Sequence, residues 1–126
     1  MKGWTSTTKA QNNGTADNVC KDPAANPEGA FDGKFYENWN PSPYTGKMYQ
    51  VVKNLPNGVY KVGLSAFINK YDLDNATTQS QYVYFNDLKI PLTTGDARAY
   101  SAYIDITTGE LEIGLAQDVA ISEWMG

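Results

Sequence analysis

From Tyr60 to Asn69 the apolar residues Tyr60, Val62, Leu64, Ala66 and Ile68 occupy every second position, with Lys61, Gly63, Ser65 and Asn69 between them. A period of two is the side-chain repeat of an extended strand and does not gather one apolar face on a helix. The stretch therefore predicts a strand with one buried and one solvated face. Before it, Met48 to Val52 is separated from this strand by Leu55-Pro56-Asn57-Gly58. Pro56 pre-sets φ for the second position of a type I turn, Asn57 tolerates the third, and Gly58 accepts the left-handed conformation that closes such a turn with a bulge. The expectation is a β-hairpin over Lys47 to Asn69. Burying its large side chains at about 1.5 to 3 kcal/mol each would make it a main source of core stability.

The same alternation returns along the chain. Residues Gly3 to Thr8 predict a short strand carrying Trp4, and Lys34 to Trp39 another, ended by Asn40-Pro41-Ser42-Pro43, where two prolines forbid continued pairing. Gln81 to Phe85 meets Asn86-Asp87, a two-residue turn, with Leu88 to Ile90 as its partner. Tyr100, Ala102, Ile104 and Ile106 share one face, and after Thr108-Gly109 so do Leu111, Ile113 and Leu115, against outward Glu110 and Glu112. Val119 to Met125 forms a last apolar stub holding Trp124. Lys9 to Gly33 and Lys70 to Ser80 are rich in breakers or polar residues and read as loops. Seven or eight short strands with turn signals between them, and no stretch of helical periodicity, predict an all-β, antiparallel β-sandwich, most simply a jelly roll. A length of 126 residues fits one domain.

Composition removes whole classes of function. The chain has no histidine, which excludes Ser-His-Asp and Cys-His catalysis and an ordinary zinc site. Its net charge is -4 and Arg98 is its one arginine, so no cationic face exists to neutralise phosphates and nucleic acid is set aside as a partner. No apolar run approaches the roughly 18 residues of a membrane span, so no membrane insertion is expected. Cys20 stands alone beside Lys21 and Asp22, with no intrachain disulfide available, and reads as an inert thiol. Met-Lys-Gly-Trp-Thr has no signal-peptide core, and the reading is a domain from within a longer exported protein, secreted or held at the cell surface.

Several pieces together carry a resemblance: Gly3-Trp4-Thr5; Phe35-Tyr36-Glu37-Asn38-Trp39-Asn40; Met48-Tyr49-Gln50 followed by Asn54-Leu55-Pro56-Asn57-Gly58-Val59-Tyr60; Tyr82-Val83-Tyr84; and Leu111-Glu112-Ile113-Gly114-Leu115. Over nearly the whole chain they resemble the galactose-binding-like jelly-roll domains, which occur as accessory modules of bacterial secreted and surface proteins that handle glycans. The resemblance implies a non-catalytic carbohydrate-binding module. Family members usually add one strand before the Gly-Trp-Thr segment and one after the final tryptophan. Without them a sheet edge is exposed, and the expectation is that another copy of the chain or a rearranged N-terminal segment covers it.

Within that reading the candidate sugar site is Tyr36, Glu37, Asn38, Trp39 and Tyr44, with Tyr71 from the following loop. Sugar recognition wants flat aromatic faces for the C–H side of a pyranose and short amides and carboxylates for its hydroxyls. The competing reading is that Tyr36 and Trp39 are packing at a strand end, which leaves a structural or protein-interaction domain with no small-ligand site. Asp17, Asp22, Asp32, Asp72 and Asp74 read first as solvated loop acids. Structural calcium, which many members of the family hold, is the one cofactor they would suit. A glycosidase-like carboxylate pair using Glu37 is a lesser alternative, since nothing fixes the separation of the two acids.

Overall fold

The computed structural model describes residues 3–7, 20–21, 35–36, 38–39, 43–66, 81–92, 98–121 and 124–125. They form eleven strands where seven or eight were expected, and the surplus comes from short two-residue pairings. In chain order these are β1 (Thr5–Ser6), β2 (Cys20–Lys21), β3 (Phe35–Tyr36), β4 (Asn38–Trp39), β5 (Tyr44–Lys53), β6 (Gly58–Ala66), β7 (Gln81–Phe85), β8 (Leu88–Pro91), β9 (Arg98–Ile106), β10 (Glu110–Ile121) and β11 (Trp124–Met125). No helix occurs among the described residues.

Five strands build one antiparallel sheet in the order β1-β5-β10-β7-β8, and β6 pairs with β9 in a second. The expected hairpin over Lys47 to Asn69 is therefore corrected: β5 and β6 are not partners. β5 lies between β1 and β10, while every residue of β6 from Gly58 to Ala66 is matched to β9. The Leu55–Gly58 segment carries the chain from one layer to the other. Asn54, at φ 60°, takes the left-handed conformation that the sequence had suggested for Gly58. The Leu55 amide donates to the Gly109 carbonyl at 2.9 Å, tying this corner to the β9–β10 turn instead of closing a ladder.

The alternation itself is correct. Tyr60, Val62 and Leu64 of β6 and Ala102, Ile104 and Ile106 of β9 face Val52, Phe85, Ile90, Leu111 and Ile113 of the five-stranded sheet, with Phe85 at 0% and Ile106 at 1% exposure. A second cluster joins Met48, Ala66, Val83, Leu92 and Leu115. The intervening residues Val59 and Tyr103 are exposed, as the period of two requires. At the β7–β8 turn Asn86 has φ 51°, so Asn86-Asp87 makes the expected two-residue connection and Phe85 stands opposite Leu88. Leu92 donates its amide to the Gln81 carbonyl at 3.0 Å. Pro91, opposite Tyr82, therefore occupies a position where the backbone donor would point away from β7, and proline has none.

The two ends of the sandwich differ. At one pole the strands are joined by tight corners at 54–57, 86–87 and 107–109. At the other, β5 begins at Tyr44, β6 ends at Ala66, β7 begins at Gln81, β8 ends at Pro91, β9 begins at Arg98 and β10 ends at Ile121. Longer connections, among them 67–80, are joined to the strands at this second pole.

Candidate functional site

The second pole gathers part of the sequence-predicted set. Tyr44 stands opposite Ile121 in the β5–β10 ladder, and Trp39 stands opposite Trp124, with Asn38 opposite Met125, where β4 meets β11. The β4–β11 pairing follows the β5–β10 ladder past a break, in the same direction and almost the same register, so Trp39, Trp124 and Tyr44 come to one end of the molecule. Tyr36 is matched to Cys20 in a separate pairing. Glu37 and Tyr71 lie outside the described residues, as do Asp17, Asp22, Asp32, Asp72 and Asp74. No group of three or more metal-ligating side chains occurs among the described residues.

Tyr44 is half-buried and packs on the Met48–Leu115 cluster. Its backbone is held from within the core. Gln81 and Gln117 are each 1% exposed and stand opposite one another. The Gln81 Nε2 donates to Gln117 Oε1 at 2.7 Å, and Gln117 Nε2 donates to the Tyr44 carbonyl at 2.7 Å. Two buried amides thus pair with each other and with the first residue of β5, so the rim sits on a satisfied polar foundation. Between Gln117 and Ile121 the β10 register slips, and Asp118, Val119 and Ala120 are exposed.

The sequence did not point to a second feature, the outward face of the five-stranded sheet. Register alone lines up Tyr49, Gly114 and Tyr84 across β5, β10 and β7, and Lys47, Ala116 and Tyr82 one row further on. Lys47 pairs with Glu112, whose Oε1 also accepts the Tyr84 hydroxyl at 2.7 Å. Asp118 repeats the motif, accepting Tyr82 at 2.8 Å and Lys89 at 3.0 Å. The ammonium of Lys47 lies 4.2 Å from the Tyr49 ring centre and that of Lys89 lies 4.3 Å from the Tyr82 ring centre, both within cation–π range. Tyr82 and Tyr84 meet edge to face, centroids 6.0 Å apart.

These contacts set the ionisation of the layer. The Lys47 ammonium, and after it the Tyr84 hydroxyl, hold the Glu112 carboxyl below its ordinary value. Burial pushes Asp118 upward, but the hydrogen bonds from Tyr82 and Lys89 outweigh it and its carboxyl is held low. Burial first, then the neighbouring carboxylate, pushes the Tyr84 hydroxyl far above the ordinary tyrosine value, and Tyr82 is raised for the same reasons. At neutral pH Glu112 and Asp118 are therefore charged, and the Tyr82 and Tyr84 hydroxyls that donate to them are neutral.

Two packed antiparallel layers, crossing connections between them and an alternating core define an all-β, antiparallel β-sandwich. Among solved structures the chain is similar to the carbohydrate-binding module TmCBM61, whose structure was solved in complex with beta-1,4-galactotriose. The TM-score is 0.53 and the identity 20%, over 85% of this chain and 73% of that one, a likeness of fold. A scan against protein families gives no match, and no curated protein matches the chain.

Proposed function

We propose that this domain is a non-catalytic carbohydrate-binding module, carried by an exported or cell-surface protein, that holds a glycan at the pole where Trp39, Trp124 and Tyr44 converge. The observation that carries the reading is this convergence. The strand ends bearing those aromatics, and the connection bearing Tyr71, are joined at the end of the sandwich opposite the tight corners at 54–57, 86–87 and 107–109. Rigid strands presenting side chains from longer connections are the usual way a sandwich positions a binding site. The likeness in fold to a module solved with a bound oligosaccharide supports the same reading. Tyr36, Glu37, Asn38, Trp39, Tyr44 and Tyr71 are the proposed sugar contacts, with aromatic faces for the ring and amide and carboxylate groups for its hydroxyls.

A shallow sugar site buries little surface, so binding should be weak, with Kd of about 10 µM to 1 mM. The test is retention on a panel of immobilised polysaccharides. Trp39→Ala is expected to abolish retention while leaving the melting temperature unchanged. Retention by the variant, or its unfolding, would instead assign Trp39 to packing and favour a structural role for the domain.

A further inference from the structure

We propose that the outward face of the five-stranded sheet is a second carbohydrate surface, separate from the pole, which takes a neutral oligosaccharide laid along β10. The proposal rests on the reading of the domain as a carbohydrate-binding module, but on none of the residues of the pole.

Two grooves adjoin on this face. One, of about 440 Å³, lies among Lys47, Tyr82, Lys89, Ala116 and Asp118. The other, of about 540 Å³, lies among Val51, Lys53, Asp87, Glu110 and Glu112. Both are lined by Tyr84 and Asn86, so they share a wall and run on from one another. From Asp118 to Glu110 the strand beneath them extends about 26 Å at the usual rise per residue, long enough for several sugar rings and far longer than one. Ala116 forms part of the floor of the first groove, while Gly114 lets the Tyr84 ring settle onto β10 as the wall that the two grooves share.

The chemistry of the walls selects the ligand. Lys47, Lys53 and Lys89 are each paired across strands, with Glu112, Glu110 and Asp118. Their charges cancel, and Asp87 on the rim adds a further negative charge. An acidic polymer finds no surplus of positive charge to hold it, and a phosphate-bearing one finds none either. A neutral pyranose chain needs what is present: donors and acceptors alternating at short range, beside aromatic rings. The Lys89–Asp118 pair is more than half exposed on both sides. Such pairs contribute little to stability, so a sugar hydroxyl can enter between ammonium and carboxylate at small cost. Either lysine head can also swing off its tyrosine and give the ring face to a C–H surface.

The experiment is backbone amide NMR on the ¹⁵N-labelled chain, titrated with neutral hexasaccharides from galactan, glucan, mannan and xylan, with their monosaccharides, and with oligogalacturonate. Saturable shifts at 82–86 and 112–118 are expected with at least one neutral hexasaccharide. Its affinity should exceed that of its monosaccharide by about tenfold or more, equivalent to about 1.4 kcal/mol. Tyr82→Ala and Asp118→Asn, the second of which removes no core contact, should each erase those shifts. Shifts confined to 36–39, 44–45, 71 and 119–125 would overturn this inference and leave the pole reading standing. A preference for oligogalacturonate, or face shifts that survive both variants, would overturn it as well. No shift anywhere with any sugar would overturn both readings.

Discussion

Gly114 lies directly beneath Tyr84: a Cβ on residue 114 would stand 2.8 Å from Cε1 of that ring, 2.9 Å from the Tyr49 Cβ and 2.6 Å from the Met48 carbonyl oxygen. The tyrosines rest across β10 because the central strand has nothing there to lift them. Gly114→Ala should therefore destabilise the domain by about 1 to 3 kcal/mol through overpacking, since a backbone carbonyl cannot yield as a flexible side chain would. Urea denaturation measures the loss, and an unchanged midpoint would mean that β5 and β10 can part at no cost.

The buried glutamines make a different prediction. Gln117→Leu removes the partner of the Gln81 amide and the donor to the Tyr44 carbonyl together, and should cost about 1 to 3 kcal/mol. Adding Gln81→Leu removes the stranded amide, so the double variant should be more stable than the two single losses added together. A double-mutant cycle by chemical denaturation reads this coupling. Strict additivity would show that the two side chains do not depend on each other.

Acid should act through the sheet face. Glu112 and Asp118 have folded-state pKa values below their ordinary ones, so the stability they contribute is complete above the ordinary carboxylate range. It is lost as pH falls from there through the depressed values, when protonation of the carboxylates breaks the Lys47 and Lys89 pairs. Thermal denaturation between pH 6 and about pH 2 should show this fall, and Glu112→Gln should flatten it while lowering stability at neutral pH. An equal slope in the variant would place the acid sensitivity elsewhere.

At the tight-turn pole, Gly109 has φ 76° and its carbonyl accepts the Leu55 amide that fixes the crossing between layers. An L side chain is disfavoured there by about 1 to 2 kcal/mol. Gly109→Ala should lower the melting temperature by several degrees, and because both layers meet at this corner the transition should stay cooperative. Separate melting of two units would contradict the arrangement.

Much of the architecture was legible because burial is written locally. Tyr60, Val62 and Leu64, or Tyr100, Ala102 and Ile104, announce their inward face within a few residues. What they do not announce is their partner. Pro56, Asn57 and Gly58 suit a hairpin as well as a corner, and the choice was made by β1 and β10, which occupy both sides of β5. The tyrosine layer was hidden for the same reason. Lys47, Tyr84 and Glu112 come from three distant segments, and only the register joins them. One local signal existed: along Glu112, Gly114, Ala116 and Asp118 the outward positions of β10 shrink in the middle of an otherwise polar face. At the pole, the chemistry of Trp39 and Tyr44 makes them candidates in the sequence, while their strand partners, Trp124 and Ile121, come from the far end of the chain.

The proline opposite Tyr82 also governs how the domain behaves in a crowd. β8 closes one side of the five-strand order among the described residues, and a row of free amides and carbonyls there would act as a template for any passing extended segment. At residue 91 the outward donor is missing, so a zipper of backbone bonds started at Leu88 halts before the strand is finished. A protein bearing several such modules can hold them close together without their sheets fusing along this side.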